Sequence, residues 1–406
     1  MRIIVQKFGG TSVATPKARE LVVKKIQVAC QNGFRPVVVV SAMGRKGECY
    51  ATDTLVDVAH EAYNQIASRE LDQILYCGEM ISAVVMAGTL QAAGFDAVML
   101  TGGQAGIITD NHFNNAHIIK VDPARILALL KMGKIPVVCG FQGVSIDNEF
   151  TTLGRGGSDT SASALGVALT AEAIEIYTDV DGIMTADPRI VSNAKILDCI
   201  SYGEVCQLAY QGAKVIHPRA VEIAMQKNIP LIVKSTFSDA PGTLITTIPS
   251  ENTEETTVND RIATGVTSIN NIAQIKILLD NSTNSMASFT IFKTMSDHGI
   301  SIDLINVHPG QIMFTVAESV AEKATTLLHE MGCNIQTTLG CAKVSVVGGG
   351  INGVPGVMAN FVEALVLNHI PILQTVDSHT SISALIEQSF VQSAVIALHE
   401  KFKLFC

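Results

Sequence analysis

Hydrophobic positions along the first 240 residues follow two alternating periods. The apolar runs IIVQKF and RPVVVV predict strands of a parallel sheet covered on both faces, because such strands carry apolar side chains on both sides. Helical periodicity predicts helices over 16–32 and 53–93, and the small-residue stretch TSASALGVALTA predicts another. Further strands are predicted at FDAVML, KIPVVCGF, AIEIYTDVDG and IPLIVKST. This order predicts helices around a mainly parallel sheet.

The last part of the chain has a different pattern, which occurs twice. MASFTIFKTMSDHGISIDLINV is echoed by VMANFVEALVLNHIPILQTV, and the echo aligns Ile300 with Ile370. A repeat of roughly 70 residues predicts two copies of a small α+β module. The polar, acidic stretch 248–261 precedes the first copy and is predicted to be a linker.

One glycine motif in the second copy imitates a dinucleotide-binding fingerprint. Gly348, Gly350 and Gly353 form G-x-G-x-x-G after a predicted strand, and Asp377 ends a later one. Fewer than about 60 residues follow the first glycine, too few for the further strands of a dinucleotide-binding domain. We therefore interpret this motif as a glycine-rich turn.

Composition excludes several classes of protein. With 406 residues, of which 48% are hydrophobic, the chain can fill the cores of two or three domains. A net charge of -9 argues against a nucleic-acid binder, so an anionic ligand needs local positive groups. Nine cysteines without a C-x-x-C pair indicate reduced thiols and a cytoplasmic protein. No apolar run reaches the roughly 18 residues of a membrane span.

The stretch VQKFGGTSV places a lysine and two glycines where the first strand ends. Ligands bind at this edge of open α/β sheets, where Gly9 and Gly10 let a backbone approach an anion and Lys7 supplies a positive charge. The alternative is a tight turn with a solvent-facing lysine. The spacing of a Walker A loop is absent from this stretch.

A second polar cluster, GRGGSDTSASALG, stands before the small-residue helix. Ser158 or Asp159 alone is explained as a helix cap. Arg155 is not, because a capping turn does not need a guanidinium that can hold a carboxylate with two hydrogen bonds. Glu79 in CGEM lies at the predicted start of an apolar helix, where it could complement the helix dipole. Further charged or hydroxyl side chains occur in polar loops, where solvation is the alternative explanation for each: Thr178, Asp179, Asp181, Asp187, Arg189 and Lys214.

Six motifs in order resemble those of aspartate kinases, which have the amino-acid kinase fold: VQKFGGTSV, VVVVSAM, CGEM, GRGGSDTSA, YTDVDGIMTADPR and GAKVIHPRA. The resemblance covers essentially the whole chain. The stretch SAMGRKGECYATDTL and the overall length resemble the diaminopimelate-sensitive aspartate kinases of bacilli most. The repeated modules resemble the paired ACT domains, ferredoxin-like α+β modules that sense amino acids in this family.

The resemblance implies transfer of the γ-phosphoryl group of MgATP to the side-chain carboxylate of L-aspartate, giving 4-phospho-L-aspartate. This nucleophile is ionised at neutral pH and needs no general base, so catalysis depends on positioning and on cations. By resemblance, Lys7 neutralises the phosphoryl group, and Asp159 orients Lys7 or helps to hold the magnesium network.

The resemblance also assigns binding residues. It places Arg155 on a carboxylate of aspartate and Glu79 on its ammonium group, with four further substrate-binding residues: Thr52, Gly156, Gly157 and Ser158. The positions that match nucleotide binding are Lys7, Phe8, Gly9, Gly10, Ser41, Thr178, Asp179, Met184, Asp187, Arg189 and Lys214. Many relatives have tyrosine in place of Met184, which leaves the packing at the nucleotide base open. No residue is assigned as a direct metal ligand.

The predicted organisation is a catalytic domain at 1–247, the linker at 248–261, and ACT modules at 262–332 and 333–406, with strand exchange between the modules left open. We expect a homodimer or larger homo-oligomer formed through the ACT modules, and an effector amino acid ranked as meso-diaminopimelate, then lysine, then threonine. No nucleic acid or membrane partner is expected. Two alternatives are a different amino-acid kinase and a catalytically silent amino-acid sensor. The former would not need Glu79, and intact Lys7, Arg155 and Asp159 argue against the latter.

Overall fold

The structure, a computed structural model, describes residues 1–247, 262–279, 284–351 and 353–405. The chain divides into two compact units. The first comprises Met1–Ile183, Ile196–Ala209 and Lys214–Thr256, and the second comprises Met184–Lys195, Tyr210–Ala213 and Thr257–Cys406. Two short stretches, 184–195 and 210–213, thus belong to the second unit although they precede the predicted boundary at 247. The predicted linker at 248–261 lies outside the described residues.

The first unit is an α/β structure. Its strands are β1 (Ile3–Phe8), β2 (Arg35–Val40), β3 (Ala97–Leu100), β4 (Ile107–Thr109), β5 (Ile118–Val121), β6 (Ile135–Cys139), β7 (Gln142–Ser145), β8 (Phe150–Thr152), β9 (Ala173–Thr178), β10 (Cys199–Ser201), β11 (Leu231–Ser235) and β12 (Thr243–Thr246). Its helices are α1 (Gly10–Val13), α2 (Pro16–Gln31), α3 (Thr52–Ala62), α4 (Ser68–Ala92), α5 (Ala124–Lys131), α6 (Gly157–Ala168), α7 (Tyr202–Tyr210) and α8 (Pro218–Met225).

Eight strands among the described residues of this unit form a large, mainly parallel sheet in the order β10-β12-β11-β9-β1-β2-β6-β3. Strand β1 lies between β2 and β9 and runs parallel to both, with Lys7 opposite Val39 and Ile176. The central strands are buried on both faces, as their apolar sequences predict. The fold class expected for the first part of the chain is confirmed. The other four strands form a smaller sheet in the order β5-β4-β7-β8.

The predicted helix at 53–93 is in fact two helices. Helix α3 ends at Ala62, and α4 runs from Ser68 to Ala92. Glu79 therefore lies in the middle of α4, so its interpretation as a residue at a helix start was wrong. Helix α4 is long and apolar enough to cross a membrane by length and composition, but half of its most apolar 18-residue window is buried inside the protein. Helix α4 is a core helix of this unit.

The second unit is built around one antiparallel sheet. Its strands are β13 (Gly265–Leu278), β14 (Asp303–His308), β15 (Gln311–Ala317), β16 (Asn334–Val347), β17 (Gln374–Asp377) and β18 (Ser381–Glu387). Its helices are α9 (Asn284–Asp297), α10 (Ala321–Glu330), α11 (Val357–Leu367) and α12 (Val391–Lys401), with short 3-10 helices at Glu318–Val320 and Gln388–Phe390. Among the described residues the strand order is β14-β15-β13-β16-β18-β17.

The predicted repeat is visible in this sheet. Ile300 and Ile370 are both buried and each follows a helix, with backbone N–H groups that bond to Met295 and Leu365 at 2.8 and 3.0 Å. The long strands β13 and β16 each serve both modules, since 272–278 pairs with 334–341 in the first and 265–269 pairs with 343–347 in the second. The second module thus completes its sheet with residues 265–269, the first part of β13, whose second part belongs to the first module. The G-x-G-x-x-G motif begins in the connection between β16 and α11.

Candidate active site

A cleft of about 370 Å³ in the first unit collects most of the predicted binding residues. Nine of its lining residues were predicted from the sequence: Lys7, Ser41, Thr52, Glu79, Arg155, Gly156, Gly157, Ser158 and Asp159. Three were not: Asn114, Phe141 and Gly154. Strand β1, the loop after β2, helices α3 and α4 and the start of α6 contribute the predicted residues. Residues from distant parts of the sequence therefore meet near the carboxyl ends of parallel strands.

One of the two basic side chains that line the cleft in the described part of the chain is Lys7, near the end of β1. Its Nζ atom lies 2.7 Å from Oδ1 of Asp159, and both side chains are nearly buried, with 11% and 12% of their surfaces exposed. Asp159 stands in the first turn of α6. Its Oδ1 atom has no hydrogen-bond partner in the described residues, so the contact with Lys7 is an ion pair without hydrogen-bond geometry. The solvent-facing alternative for Lys7 is thereby excluded.

Glu79 supplies a buried carboxyl group to the same cleft. Its Oε1 atom accepts the backbone N–H of Ala42 at 3.1 Å, but Oε2 is buried without a partner among the described residues. Burial raises the pKa of this carboxyl group to about 8. An oxygen kept out of water and left unpartnered is suited to accept a hydrogen bond from a ligand that brings a positive charge.

Arg155 stands on the loop that leads into α6. The side chain is exposed, and in the described ranges its guanidinium group has no ion-pair or hydrogen-bond partner. The next residue, Gly156, has a φ of +67°, which favours glycine, and a Cβ atom there would lie 2.2 Å from Cβ of His217. The tight turn after Arg155 thus requires glycine, and Arg155 remains available to an anionic ligand.

The backbone after β1 packs closely against the loop after β2. A Cβ atom on Gly10 would lie 2.6 Å from the carbonyl oxygen of Ala42 and 2.8 Å from that of Gly44. A Cβ atom on Gly9 would make only ordinary contacts, at 3.6 Å to Tyr177 and 3.7 Å to Nζ of Lys7. Gly10 is therefore required by the fold itself, whereas Gly9 has room for a Cβ atom, which would lie beside the lysine ammonium group.

Several predicted nucleotide-binding residues do not line this cleft. Phe8 is fully buried and stacks on Tyr177, with ring centroids 4.7 Å apart. Thr178 ends β9, the strand next to β1, and Asp179 is bound by Arg45, whose Nη2 atom lies 2.5 Å from its Oδ2. Lys214 is exposed on the segment before α8.

Three further predicted residues belong to the second unit. Met184, Asp187 and Arg189 lie in its segment 184–195. Arg189 binds Asp187 through two nitrogens, at 3.0 Å from Nε to Oδ1 and 2.6 Å from Nη2 to Oδ2. The side-chain hydrogen bond from Arg189 lowers the pKa of Asp187. The nucleotide role of these residues stays a prediction.

Sequence reasoning missed Asn114 and Phe141. Phe141 follows β6 within the predicted strand KIPVVCGF, so the rule that ligands bind at strand ends could have indicated it. No local pattern marks Asn114, which has a φ of +66° and a buried Oδ1 atom without a partner among the described residues. Its N–H donates to the buried carboxylate of Asp72, which also accepts the N–H and hydroxyl of Thr152 at 2.9 and 2.5 Å.

The cleft has groups that fit a nucleotide phosphate with Mg²⁺. This cation is typically held by one or two carboxylates together with substrate phosphates and water. Asp159 offers a carboxylate, and Lys7 offers a cation 2.7 Å from its Oδ1 atom. Mg²⁺, when bound there with the phosphates, would neutralise negative charge on the transferring group.

Comparisons with known proteins show the family of this chain. Residues 2–235 match the model of the amino acid kinase family, and residues 336–400 match an ACT domain. The chain is 48% identical over 404 residues to aspartokinase 1 of Bacillus subtilis (strain 168), with 100% of both chains covered.

Solved structures of an aspartokinase share the fold of this chain. The crystal structure of E. coli aspartokinase III in complex with aspartate and ADP, in the R-state, aligns with a TM-score of 0.81 at 25% identity, covering 98% of this chain and 99% of that one. The T-state of the same enzyme, in complex with lysine and aspartate, shares the fold with a TM-score of 0.76 at 24% identity, covering 98% and 99%.

Proposed function

The chain belongs to the aspartokinases of the amino acid kinase family, and we propose that its cleft positions MgATP and L-aspartate for phosphoryl transfer. The chain is an ATP-dependent kinase. The γ-phosphoryl group of ATP passes to the side-chain carboxylate of aspartate, and the product is 4-phospho-L-aspartate. The single observation that supports this proposal best is the unpartnered Oε2 atom of Glu79 in a cleft that also holds Lys7 and Arg155.

L-aspartate has an α-carboxylate, an ammonium group and a side-chain carboxylate. The cleft has a complementary side chain for each, in the order Arg155, Glu79 and Lys7. Arg155 has a free planar fork for the α-carboxylate, which accepts two parallel hydrogen bonds. Glu79 accepts a hydrogen bond from the ammonium group, and Thr52, Gly156, Gly157 and Ser158 provide polar groups along the wall of the cleft. The side-chain carboxylate of aspartate is thereby directed toward Lys7.

Positioning and charge stabilisation carry the catalysis. The attacking carboxylate is already ionised at neutral pH, so the cleft needs no general base. Lys7 lies where negative charge from carboxylate and phosphate accumulates, and its near burial strengthens its effect on that charge. Asp159 orients the ammonium group of Lys7 through the 2.7 Å ion pair. Gly9, where a Cβ atom would lie 3.7 Å from Nζ of Lys7, lets a phosphate approach the same ammonium group.

A hydroxamate assay tests this reaction, because hydroxylamine traps the acyl phosphate product. The full chain is incubated with MgATP and either L-aspartate or succinate, which lacks the ammonium group that Glu79 is proposed to bind. We expect hydroxamate from L-aspartate and at least about tenfold less from succinate, the equivalent of one charge-assisted hydrogen bond. Equal yields from both acceptors would contradict the role of Glu79, and no hydroxamate from L-aspartate would contradict the reaction.

The second unit is proposed to bind an amino-acid effector. An ACT domain matches its second module, and the T-state structure of E. coli aspartokinase III contains lysine. We rank meso-diaminopimelate first, lysine second and threonine third for this chain, on its likeness to the aspartate kinases of bacilli. An effector inhibits by binding more tightly to an inactive state. Substrates then weaken effector binding by the same factor by which the effector weakens substrate binding. Calorimetry with each amino acid decides the ranking, which fails if lysine or threonine binds and meso-diaminopimelate does not.

We further propose that the chain assembles as a homodimer or larger homo-oligomer through its regulatory modules. Strand β14 is an edge of the six-stranded sheet formed by the described residues, and Ile305 and Val307 on it are 46% and 52% exposed. Exposed edges with apolar side chains are natural pairing surfaces. Light scattering on the wild type and on Ile305→Lys tests this, with Val84→Lys on α4 as the control. A monomeric wild type, or equal dissociation of both variants, would contradict the proposal.

The cytoplasm is the proposed location of this enzyme. The eight cysteines within the described residues are free thiols, as a reducing compartment requires.

A further inference from the structure

The loop between β4 and β5 brings together a carboxylate and two imidazoles. It has the sequence DNHFNNAH over residues 110–117. One possible ligand atom from each of Asp110, His112 and His117 lies within 4.8 Å of the other two. In the part of the chain that the structure describes, this is the single group of three or more such residues that meets this distance. None of the three residues lines the catalytic cleft.

The carboxylate at the centre of this group is held in place by the loop itself. Oδ1 of Asp110 accepts the backbone N–H groups of His112 and His117 at 3.2 and 2.9 Å. Arg219 fixes the same loop from outside, since its Nη2 atom donates to the carbonyl oxygen of Ala116 at 2.8 Å. Oδ1 is therefore used for structure, while Oδ2 is turned toward the two imidazole rings.

Both imidazoles direct the same ring atom at that oxygen. Nδ1 of His112 lies 2.9 Å from Oδ2 of Asp110, and Nδ1 of His117 lies 3.2 Å from it. Four ligands at about 2.05 Å from a tetrahedral metal ion are about 3.3 Å apart. The two distances are thus within a few tenths of an ångström of those that a metal ion would impose. The three possible ligand atoms lie within 4.8 Å of one another, so the exposed histidine side chains would shift to admit the ion.

Access from solvent also suits a cation. The side chains of His112 and His117 are 78% and 66% exposed, so an ion can enter from solvent and keep water as a further ligand.

We propose that Asp110, His112 and His117 form a binding site for a divalent transition-metal ion, with Zn²⁺ as the preferred ion. Two imidazoles and one carboxylate suit Zn²⁺ and its neighbours in the transition series, whereas Mg²⁺ prefers an all-oxygen octahedron. The site is therefore distinct in chemistry from the magnesium network of the kinase reaction. It lies on the loop that also carries Asn114, a wall residue of the cleft.

Cobalt titration tests the site, because Co²⁺ replaces Zn²⁺ in such ligand sets and its visible absorption reports coordination. The full chain is titrated with Co²⁺ and then with Zn²⁺ in competition. The variants are His112→Gln and His117→Gln, two exposed side chains that contact Asp110. The matched control is His60→Gln, a half-buried histidine on α3, whose Nδ1 atom lies 3.2 Å from the carbonyl oxygen of Asn64.

We expect the wild type and His60→Gln to bind one Co²⁺ per chain in this site, and Zn²⁺ to displace it. Each of the two loop variants should bind at least about tenfold more weakly, since even residues that only support metal ligands cost 10- to 100-fold when mutated. Zn²⁺ should also raise the melting temperature of the wild type and of the control more than that of the loop variants. Equal Co²⁺ binding by all four proteins would overturn the proposal, as would no binding by the wild type.

Discussion

The pKa of Glu79 leads to a pH dependence of aspartate use that has a defined sign. Only the ionised carboxylate offers a full negative charge to the substrate ammonium group. A carboxyl group with a pKa of about 8 is about 1% ionised at pH 6 and about half ionised at pH 8. Because kcat/KM reports ionisations of the free enzyme, kcat/KM for aspartate should rise over this range. The substitution Glu79→Gln removes the ionisation and keeps the shape.

The size of the effect follows from the burial of the group. Losing one partner of a buried charge pair costs at least about 2 kcal/mol, or about 30-fold in rate. At pH 6 Glu79 is mostly protonated, so kcat/KM for aspartate should be nearly the same in the wild type and in Glu79→Gln. At pH 8 kcat/KM of the wild type should be about 15 times that of the variant. If the ionised form of Glu79 favours the reaction by more than about 30-fold, the ratio at pH 8 is larger. The rise of kcat/KM in the wild type from pH 6 to pH 8 then approaches about 50-fold, which is the increase in the ionised fraction of Glu79.

The assay measures initial rates at low aspartate and saturating MgATP from pH 6 to 8. Taking the ratio of wild type to variant at each pH cancels the titration of ATP and of other groups in the cleft. Ser82→Ala is the control, because Ser82 is also buried on α4 and its hydroxyl has no partner among the described residues. Its profile should match the wild type. A wild-type to Glu79→Gln ratio that stays constant from pH 6 to 8 would refute the reasoning.

Thermal stability gives an independent check on the same group. The folded-state pKa of Glu79 is raised above its unfolded value of about 4.5 to about 8. The folded protein therefore binds more protons than the unfolded chain between these values, and stability falls as the pH rises through this window. The variant lacks this loss, so its melting temperature relative to the wild type should increase from pH 5 to pH 8. A relative change in the opposite direction would show that Glu79 is not held protonated by the fold.

Three further predictions concern the same cleft. Lys7→Ala should lower kcat at least about 100-fold while circular dichroism shows a folded protein, because the cation acts on charge in the transition state; near-normal turnover in the folded variant would remove this role. Gly9→Ala should fold normally and raise the KM for ATP, whereas Gly10→Ala should lower the melting temperature, since only the second Cβ atom meets backbone oxygens below 3 Å; equal melting temperatures of the two variants would contradict this contrast. Arg155→Lys should raise the KM for aspartate far more than that for ATP, because a point charge cannot copy a planar fork; the reverse pattern in steady-state kinetics would assign Arg155 to the nucleotide.

Local patterns were sufficient for most of the secondary structure. Apolar runs and helical periodicity predicted β1, α2 and the alternation of strands and helices in the first unit, since both patterns reflect which side chains must be buried. The 70-residue echo that aligned Ile300 with Ile370 correctly predicted a duplicated module. Five of the six family motifs lie at strand ends or helix starts, where chemistry depends on a few adjacent residues, and CGEM lies within α4. Nine of the predicted site residues line the cleft.

Other features depend on contacts between distant segments. The sequence placed Glu79 near a helix start, and only the tertiary structure shows it inside α4 with one oxygen bound to Ala42 and the other unpartnered. Asn114 enters the cleft wall because the buried carboxylate of Asp72, 42 positions away, holds its N–H.

Local sequence accounts for the set of elements, the repeat and the chemistry available at the strand ends, because these depend on neighbouring residues and on burial averaged over one face. The choice of strands that share a sheet depends instead on the whole folded chain. Strands β13 and β16 serve both modules, although no local pattern distinguishes this pairing from two separate sheets. Pairing partners are selected by the total burial and hydrogen bonding of the folded chain, and those energies arise between segments that lie far apart in sequence.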